Sequence, residues 1–570
     1  MDDDLTPDQR NIRNSLLQPL VPIPGLGDNT IRLGIVLNGT VSSGAWTAGA
    51  LDALIEVADA WADAKARGEH VPMHRVRIDL MGGASGGAVC AALFARVAGR
   101  RFRHGDPGTA PRDNPFWNVW VETLAIGSML DTDAIENGKE AASSGLSGTA
   151  IERAIDQILA WDSGRRIDRP WINDPLHVVM TQTNLRGVPY EMTYRSNPTA
   201  PAASPRKSQF VSHADHVHFA VNHATRPSSR IRPDEFSVPS DFVAGDTDWR
   251  RLAVNARASA AFPGGFPPVR LERPVAHYDW RFAITPGGGS RPPEARPLVP
   301  RWPTPIDDGS YVYDAVDGGV LNNGPFALVR EGLAGLGGSL PRDPMSARAA
   351  VVVIDPFASV ATIKPPEAAP DLVAVLGGMV DGMKQQARLS TSDLLLALDP
   401  MVGSRYLFTA ARKGKTKDYW GGDALATSGV GAFIGFMARD LRVHDYLLGR
   451  RNMIGWLTNH FTLPAGNPVF QGFRDLPGRS SFVVGGEVPI IPVVEHLRLG
   501  VGTPVPKWPD LTFDEGQLQR MFTGRLSSVI AGLMGGVGCR RLVANVGASR
   551  LSAMLVRAIV KGAAELRERA

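Results

Sequence analysis

Ser85 stands among glycines in MGGASGGAVC, residues 81–90, and fits Gly-x-Ser-x-Gly from Gly83 through Ser85 to Gly87. Three chemistries use glycine-rich turns of this kind. A phosphate-cradling Gly-x4-Gly-Lys-[Ser/Thr] loop needs a lysine to neutralise phosphate charge, and no lysine lies near residue 85. A dinucleotide fingerprint needs glycine at its first, third and sixth positions. Counted from Gly82 the third is Ala84, and counted from Gly83 it is Ser85. A nucleophile elbow fits better. Small neighbours let the chain turn sharply and hold the serine Oγ at the carboxyl end of a parallel sheet. The helix that follows then offers backbone N–H groups and a positive dipole end to a developing oxyanion. A plain turn with an incidental serine satisfies the same short pattern, so the flanking elements must decide.

Those elements are of the right kind. IRLGIVL (31–37) is a buried strand by composition, and NGTVSSG (38–44) is turn chemistry. A helix is predicted over 45–66, with Leu51, Leu54, Ile55 and Ala58 at helical spacing. RVRIDLM (75–81) is a second strand and AVCAALFARVA (88–98) a second helix. This βαβ order predicts a parallel sheet covered on both faces, with further strands at 176–184, 311–316 and 349–355. Residues 195–206 and 286–305 are long, proline-bearing and irregular, as functional or mobile loops are. From about 365 the pattern turns mostly helical. We place an N-terminal arm at 1–30, a catalytic domain at 31–360 and a helical domain at 361–570.

An elbow on the second strand raises the question of its base. In an ordinary α/β-hydrolase several strands precede the elbow, and the acid and histidine follow it. Here His444, His460 and His496 all fall in the helical C-terminal part. In VYDAVDGGVLNNGPF (312–326), Asp317 ends an apolar strand and precedes Gly318 and Gly319. Two glycines let another backbone come close and leave the carboxylate free to accept a hydrogen bond. Asp314, three residues earlier, points to the opposite strand face and has no glycine pair, which suits a structural role. Asp79 reads as a buried carboxylate supporting the turn.

Together with VLNGTVSSGAWTAGAL (36–51), these stretches resemble the patatin-like phospholipase family, of the bacterial type with a long helical C-terminal extension. Four parts occur in order: the loop 38–44, DLMGGASGGAV around Ser85, ASAAFPGGFPPV (258–269) and DGGVLNNGP (317–325). The resemblance covers about residues 31–356. It implies a three-layer α/β/α fold with a mainly parallel central sheet. It implies a Ser85–Asp317 dyad without histidine, supported by Gly83, Gly87, Gly318 and Gly319. It also implies an oxyanion hole in the first loop, over Gly39, Thr40, Val41 and Ser42. The expected activity is lipid acyl hydrolysis, phospholipase A-like or carboxylesterase, through an acyl-enzyme, on a lipid or ester substrate. No calcium or other cofactor is implied, and no calcium-loop pattern is seen.

One departure stands out. The family's loop usually runs Gly-Gly-Gly-x-Arg/Lys-Gly, whereas this chain has Gly39, Thr40, Val41, Ser42, Ser43 and Gly44. Backbone N–H groups do the work in such a hole, so the change bears on rate and substrate preference more than on reaction type. It also keeps two alternatives open: an impaired lipid-binding scaffold, and a transacylase that resolves the acyl-enzyme with an alcohol.

Composition narrows the remaining classes. At 570 residues, with 44% hydrophobic and 21% charged, the chain reads as a globular protein of more than one core. The net charge of +4 is spread without a dense Lys/Arg block, which argues against nucleic acid and leaves weak attraction to anionic membrane surfaces. Cys90 and Cys539 alone exclude a disulfide framework and a thiolate zinc site. The acidic start lacks an apolar stretch, so we expect no signal peptide and a cytoplasmic protein with peripheral membrane contact. LSSVIAGLMGGVG (526–538) is too short and glycine-broken to span a membrane and reads as a packed helix. His213, His216, His218 and His223 include a same-face pair, His216 and His218, but no carboxylate motif frames them as a metal site. Arg450 and Arg451 suit ion-paired helix surface or an inter-domain contact better than a headgroup. Phe262 and Phe266 read as packing near the site mouth, lining an acyl groove.

Overall fold

The computed structural model describes residues 7–21, 29–105, 113–136, 142–161, 164–194, 206–223, 232–240, 246–285, 294–302, 306, 309–358, 401–414, 417–498, 505–510, 513–533 and 540–567, with scattered positions between 375 and 399. The proline-bearing stretch 195–205, residues 286–293 of the second and most of the expected helix at 371–389 lie outside them.

Strand β1 (Thr30–Leu37) is buried at every position. Its alternate residues serve two cores: Ile35 and Leu37 join the one beneath α1 (Gly44–Ala66), while Val36 faces the other side. An apolar run, rather than an alternating one, is what such a strand requires. Strand β2 (Arg75–Gly83) carries the chain two residues past the expected 75–81, into the glycines, and α2 (Gly86–Val97) starts directly after Ser85. The expected strand 176–184 is only the middle of β3 (Ile172–Tyr194), which pairs antiparallel with β4 (Arg206–Val221). In its outer half Arg186, Gly187 and Pro189 interrupt the apolar run, and that stretch is held by the same pairing. Then come β5 (Glu235–Val238), α3 (Thr247–Ser259), β6 (Val269–Pro274), β7 (Ser310–Asp317), α4 (Phe326–Ala334) and β8 (Ala349–Ile354).

The nine-stranded sheet is mainly parallel and runs β9-β8-β1-β2-β3-β4-β5, where β9 is Arg405–Phe408. Helices α1, α2 and α3 cover one face. On the other, Phe326, Val329 and Leu333 of α4 pack on Val36, Leu80, Val179, Val351 and Val353. This is the expected α/β/α arrangement.

A fork in the sheet positions the site. Along one edge of β3, β2 pairs in parallel as far as Gly83 opposite Met180. There β2 stops and turns into α2. The same edge continues, and β7 pairs with it antiparallel, Asp317 opposite Gln182. Two strands running toward each other along one edge therefore deliver the ends of both, Ser85 and Asp317, to the same place.

Past residue 360 the chain joins this body. β9 pairs in parallel with β8, and helix α5 (Arg439–Asn459) lies against α1. RYLF is too short to announce itself as a strand by periodicity. The α1–α5 crossing is close. A side chain on Gly49 would meet the Tyr446 carbonyl at 2.0 Å, and one on Gly449 would meet that of Trp46 at 2.0 Å. Buried Asp52 on α1 receives Arg450 at 2.6 Å and the Tyr446 hydroxyl at 2.7 Å. Helices α6 (Glu515–Leu533) and α7 (Arg540–Arg567) pair with each other further along. Residues 534–538 lie outside the described ones, and among those described no helix is long and apolar enough to cross a membrane.

Candidate active site

Ser85 sits between β2 and α2 with φ 55° and ψ −131°, a conformation that non-glycine residues rarely adopt. Gly87 makes the turn sterically feasible: a Cβ there would lie 2.2 Å from the Leu37 carbonyl oxygen at the end of β1. The Ser85 N–H donates to Ser259 Oγ at 3.0 Å, and its Oγ donates to Asp317 Oδ2 at 2.7 Å. Both residues are buried.

Asp317 is held through both its carboxylate and its backbone. Asp317 Oδ1 accepts from the Gly319 N–H at 2.7 Å, where the Gly318–Val320 turn begins. The Asp317 N–H donates to the Ala261 carbonyl at 2.8 Å, and its carbonyl accepts from Thr183 Oγ1 at 2.8 Å. The end of α3 and the turn after it thus grip both residues, through Ser259 on one and Ala261 on the other. The sequence offered Phe262 and Phe266 from that stretch. Ser259 and the Ala261 carbonyl were missed, although Ser259 stands inside the quoted motif.

The loop after β1 faces Ser85. Gly39 directs its N–H to Asn323 Oδ1 at 3.1 Å, so this donor is committed inside the protein. Asn323, from the NNGP tail of the aspartate motif, is a second residue that sequence reasoning passed over. Thr40 precedes a single 3-10 turn, Val41–Ser43, in which Val41 has φ 48°. Val41, Ser85 and Gly86 line one cleft together with Asp317. Its other walls are apolar: Val89, Trp120, Leu124, Met129, Ile151, Phe262, Phe266, Phe433 and Phe436 among them. Phe262 and Phe266 are therefore at the cleft, where expected. Phe433 and Phe436 come from the C-terminal region, and Phe262 meets Phe433 edge to face at 5.8 Å. The room left inside is about 40 Å³, enough for water but not for an acyl chain.

The other candidate groups lie apart from the cleft. Asp314 pairs across strands with exposed Arg270 at 2.9 Å. Asp79 is buried and bound by Arg32 at 2.6 Å and Arg77 at 2.8 Å, which ties β1 to β2 below the turn. His216 and His218 do share a strand face, with rings 5.0 Å apart. Burial, then the nearby Arg281 and Arg232 guanidinium groups, hold both well below the usual histidine range. His213 and His223 bond to the carbonyls of Asn184 and Asn173. Among the described residues no group of three His, Cys, Asp or Glu side chains is arranged to hold a metal ion. Arg450 is buried on Asp52 and Glu56, an internal contact rather than a headgroup site. Arg451 lines a groove beside β9. Burial pushes the Cys90 thiol above its ordinary value.

A helix-covered, mainly parallel sheet with a serine at a strand–helix turn, hydrogen-bonded to a strand-end aspartate, defines a narrow class of α/β/α protein. The patatin-like phospholipase family matches residues 35–330, more than half of the chain, and the chain belongs to that family. Members are generally lipid acyl hydrolases of the serine hydrolase kind, acting on lipid or ester substrates. The chain is also 28% identical to y4iI, an uncharacterized protein of Sinorhizobium fredii (strain NBRC 101917 / NGR234), over 547 aligned positions. That alignment covers 84% of this chain and 72% of y4iI.

Proposed function

We propose that this protein is a lipid acyl hydrolase, phospholipase A-like or a carboxylesterase, that works through a Ser85–Asp317 dyad. The observation that carries the reading is the 2.7 Å hydrogen bond from Ser85 Oγ to Asp317 Oδ2, made from a strained serine at the start of α2. Asp317 takes the Oγ proton as Ser85 attacks the ester carbonyl, then returns it to the leaving alcohol. Water repeats the sequence on the acyl-enzyme. An aspartate is a weak base in water, so orientation must contribute much of the rate. The Gly319 N–H on Oδ1 leaves Oδ2 directed at the serine.

The tetrahedral oxyanion rests against N–H groups of Thr40, Val41 and Ser42 and of Gly86, the residue after the nucleophile. Gly39 drops out of the expected set because its N–H is bound by Asn323. The apolar cleft takes the acyl group, and with so little room inside, its phenylalanine rim must move to admit one.

A fluorophosphonate probe and p-nitrophenyl esters test this directly. Wild type is expected to be labelled at Ser85 and to turn over ester, while Ser85→Ala and Asp317→Asn do neither. Activity surviving Ser85→Ala would overturn the reading. An unlabelled, inactive wild type would favour the impaired-scaffold alternative, for which the near-closed cleft is the supporting observation. Glycerol added as acceptor separates hydrolysis from transacylation.

A further inference from the structure

The loop over Val41–Ser43 lacks the glycines that usually shape it, yet it adopts a turn that glycine would favour, with β-branched Val41 at φ 48°. Strain of this kind persists only where the surroundings over-determine the backbone. Those surroundings come from the C-terminal region. Ser42 Oγ donates to the Ala432 carbonyl. Ser43 Oγ lies 2.7 Å from Thr427 Oγ1. Thr427 in turn is held by Asp445 on α5: its N–H and its Oγ1 both reach Asp445 Oδ2, at 2.9 and 2.5 Å. Because the Thr427 hydroxyl gives its proton to that carboxylate, it can only accept from Ser43. The Ala426 N–H, at 2.9 Å, and His444 Nδ1, at 2.7 Å, fix the other carboxylate oxygen. Ser42, Ser43, Thr427 and Asp445 are all fully buried.

A second observation points to the same place. Among the described residues, the non-glycine residues with positive φ are Val41, Ser85, Val430 and Ala432. Two flank the oxyanion side of the cleft, and two lie in the C-terminal segment that presses on it. That segment runs on into Phe433 and Phe436, which line the cleft.

We propose that Thr427 and Asp445 are positioning residues for catalysis, holding the Thr40–Ser43 loop in its oxyanion-binding turn through the chain Ser43–Thr427–Asp445. Ser42, at the family's variable position, and Ser43, where the family has its basic residue, are the handles by which the C-terminal region grips this loop. The inference rests on the reading of that loop as the oxyanion site. Donors to an oxyanion act in the transition state and not on bound ester, so a loosened loop lowers kcat and leaves KM nearly alone.

The test uses the full chain and compares wild type with Ser43→Ala, Thr427→Val, the double variant and Thr427→Ser. Each measurement takes kcat and KM on a p-nitrophenyl ester, fluorophosphonate labelling of Ser85 and the thermal midpoint. Ser43→Ala and Thr427→Val are each expected to lower kcat by about tenfold to a hundredfold, with KM within about twofold. The double variant should be no worse than the worse single one, since both cut the same chain. Thr427→Ser, which keeps the hydroxyl, should recover to within about threefold of wild type. Should Thr427→Val not fold, Ser43→Ala, which adds no bulk, carries the comparison with Thr427→Ser. A folded Ser43→Ala with unchanged kcat, or effects that multiply in the double variant, overturns the proposal while leaving the dyad intact. A wild type that neither labels nor turns over ester overturns the dyad reading, and this proposal with it.

Discussion

The two sides of the cleft are built differently. The Ser85–Asp317 side is held by the Gly319 N–H, the Ala261 carbonyl and the Ser259 hydroxyl, all inside the segment that matches the family. The Val41–Ser43 side is held by side chains that reach more than 380 residues along the chain, to Thr427 and Ala432. One half of the site therefore comes with the shared fold. The other is completed by a region lying beyond the family match.

The largest expected break in this comparison is on the dyad side. Ser85→Ala or Asp317→Asn should lower kcat by about 10³-fold or more, read as ester turnover against active-site labelling, with the thermal midpoint nearly unchanged.

Next comes the clamp that seats the C-terminal region. Asp52→Ala would leave buried Arg450 with Glu56 alone and the Tyr446 hydroxyl without its acceptor, a loss of about 1–3 kcal/mol that urea unfolding would register. Burial alone would raise the Asp52 carboxyl, but Arg450 outweighs it, with His104 and the Gly105 N–H, and holds it down at about 2. A carboxyl lowered on folding stabilises the protein above its unfolded value, so this contribution is complete above about pH 4 and is lost as pH falls toward 2. The acid limb of a stability–pH curve should accordingly flatten in Asp52→Ala.

A smaller effect should come from Ser259→Ala, which removes the acceptor of the Ser85 N–H. A buried donor left unpaired costs about 1–3 kcal/mol, and the elbow should loosen with kcat down about tenfold. Phe433→Ala tests the opposite wall. It should widen the cleft and shift preference toward longer acyl chains by about tenfold in relative kcat/KM across an ester series. The smallest change is expected from Asp314→Asn. Its partner Arg270 is exposed, and neither rate nor thermal midpoint should move.

Legibility followed the same division. The first two strand–helix units, the elbow inside the second and Asp317 were readable because each rests on local signals: an unbroken apolar run, helical spacing, and glycines where backbones approach. Ser259 and Asn323 stood inside quoted motifs but do their work through single hydrogen bonds to distant backbone, which no periodicity reports. Strand β9 was hidden by its length and by its place after a region read as helical.

What the amino-acid order determined by itself was the parallel sheet and the sharp turn at Ser85, since strand burial and turn sterics act over a few residues; the candidate pairing with Asp317 was implied by the family resemblance. Only the tertiary structure decided that β2 and β7 meet end to end on one edge of β3. It alone placed Ser42 and Ser43 against Thr427 and Ala432, and Phe433 and Phe436 over the cleft. A hydroxyl or a phenyl ring carries no mark in sequence of the partner it will meet. That partner is chosen when α5 docks on α1, and with it the shape of the loop that faces the serine.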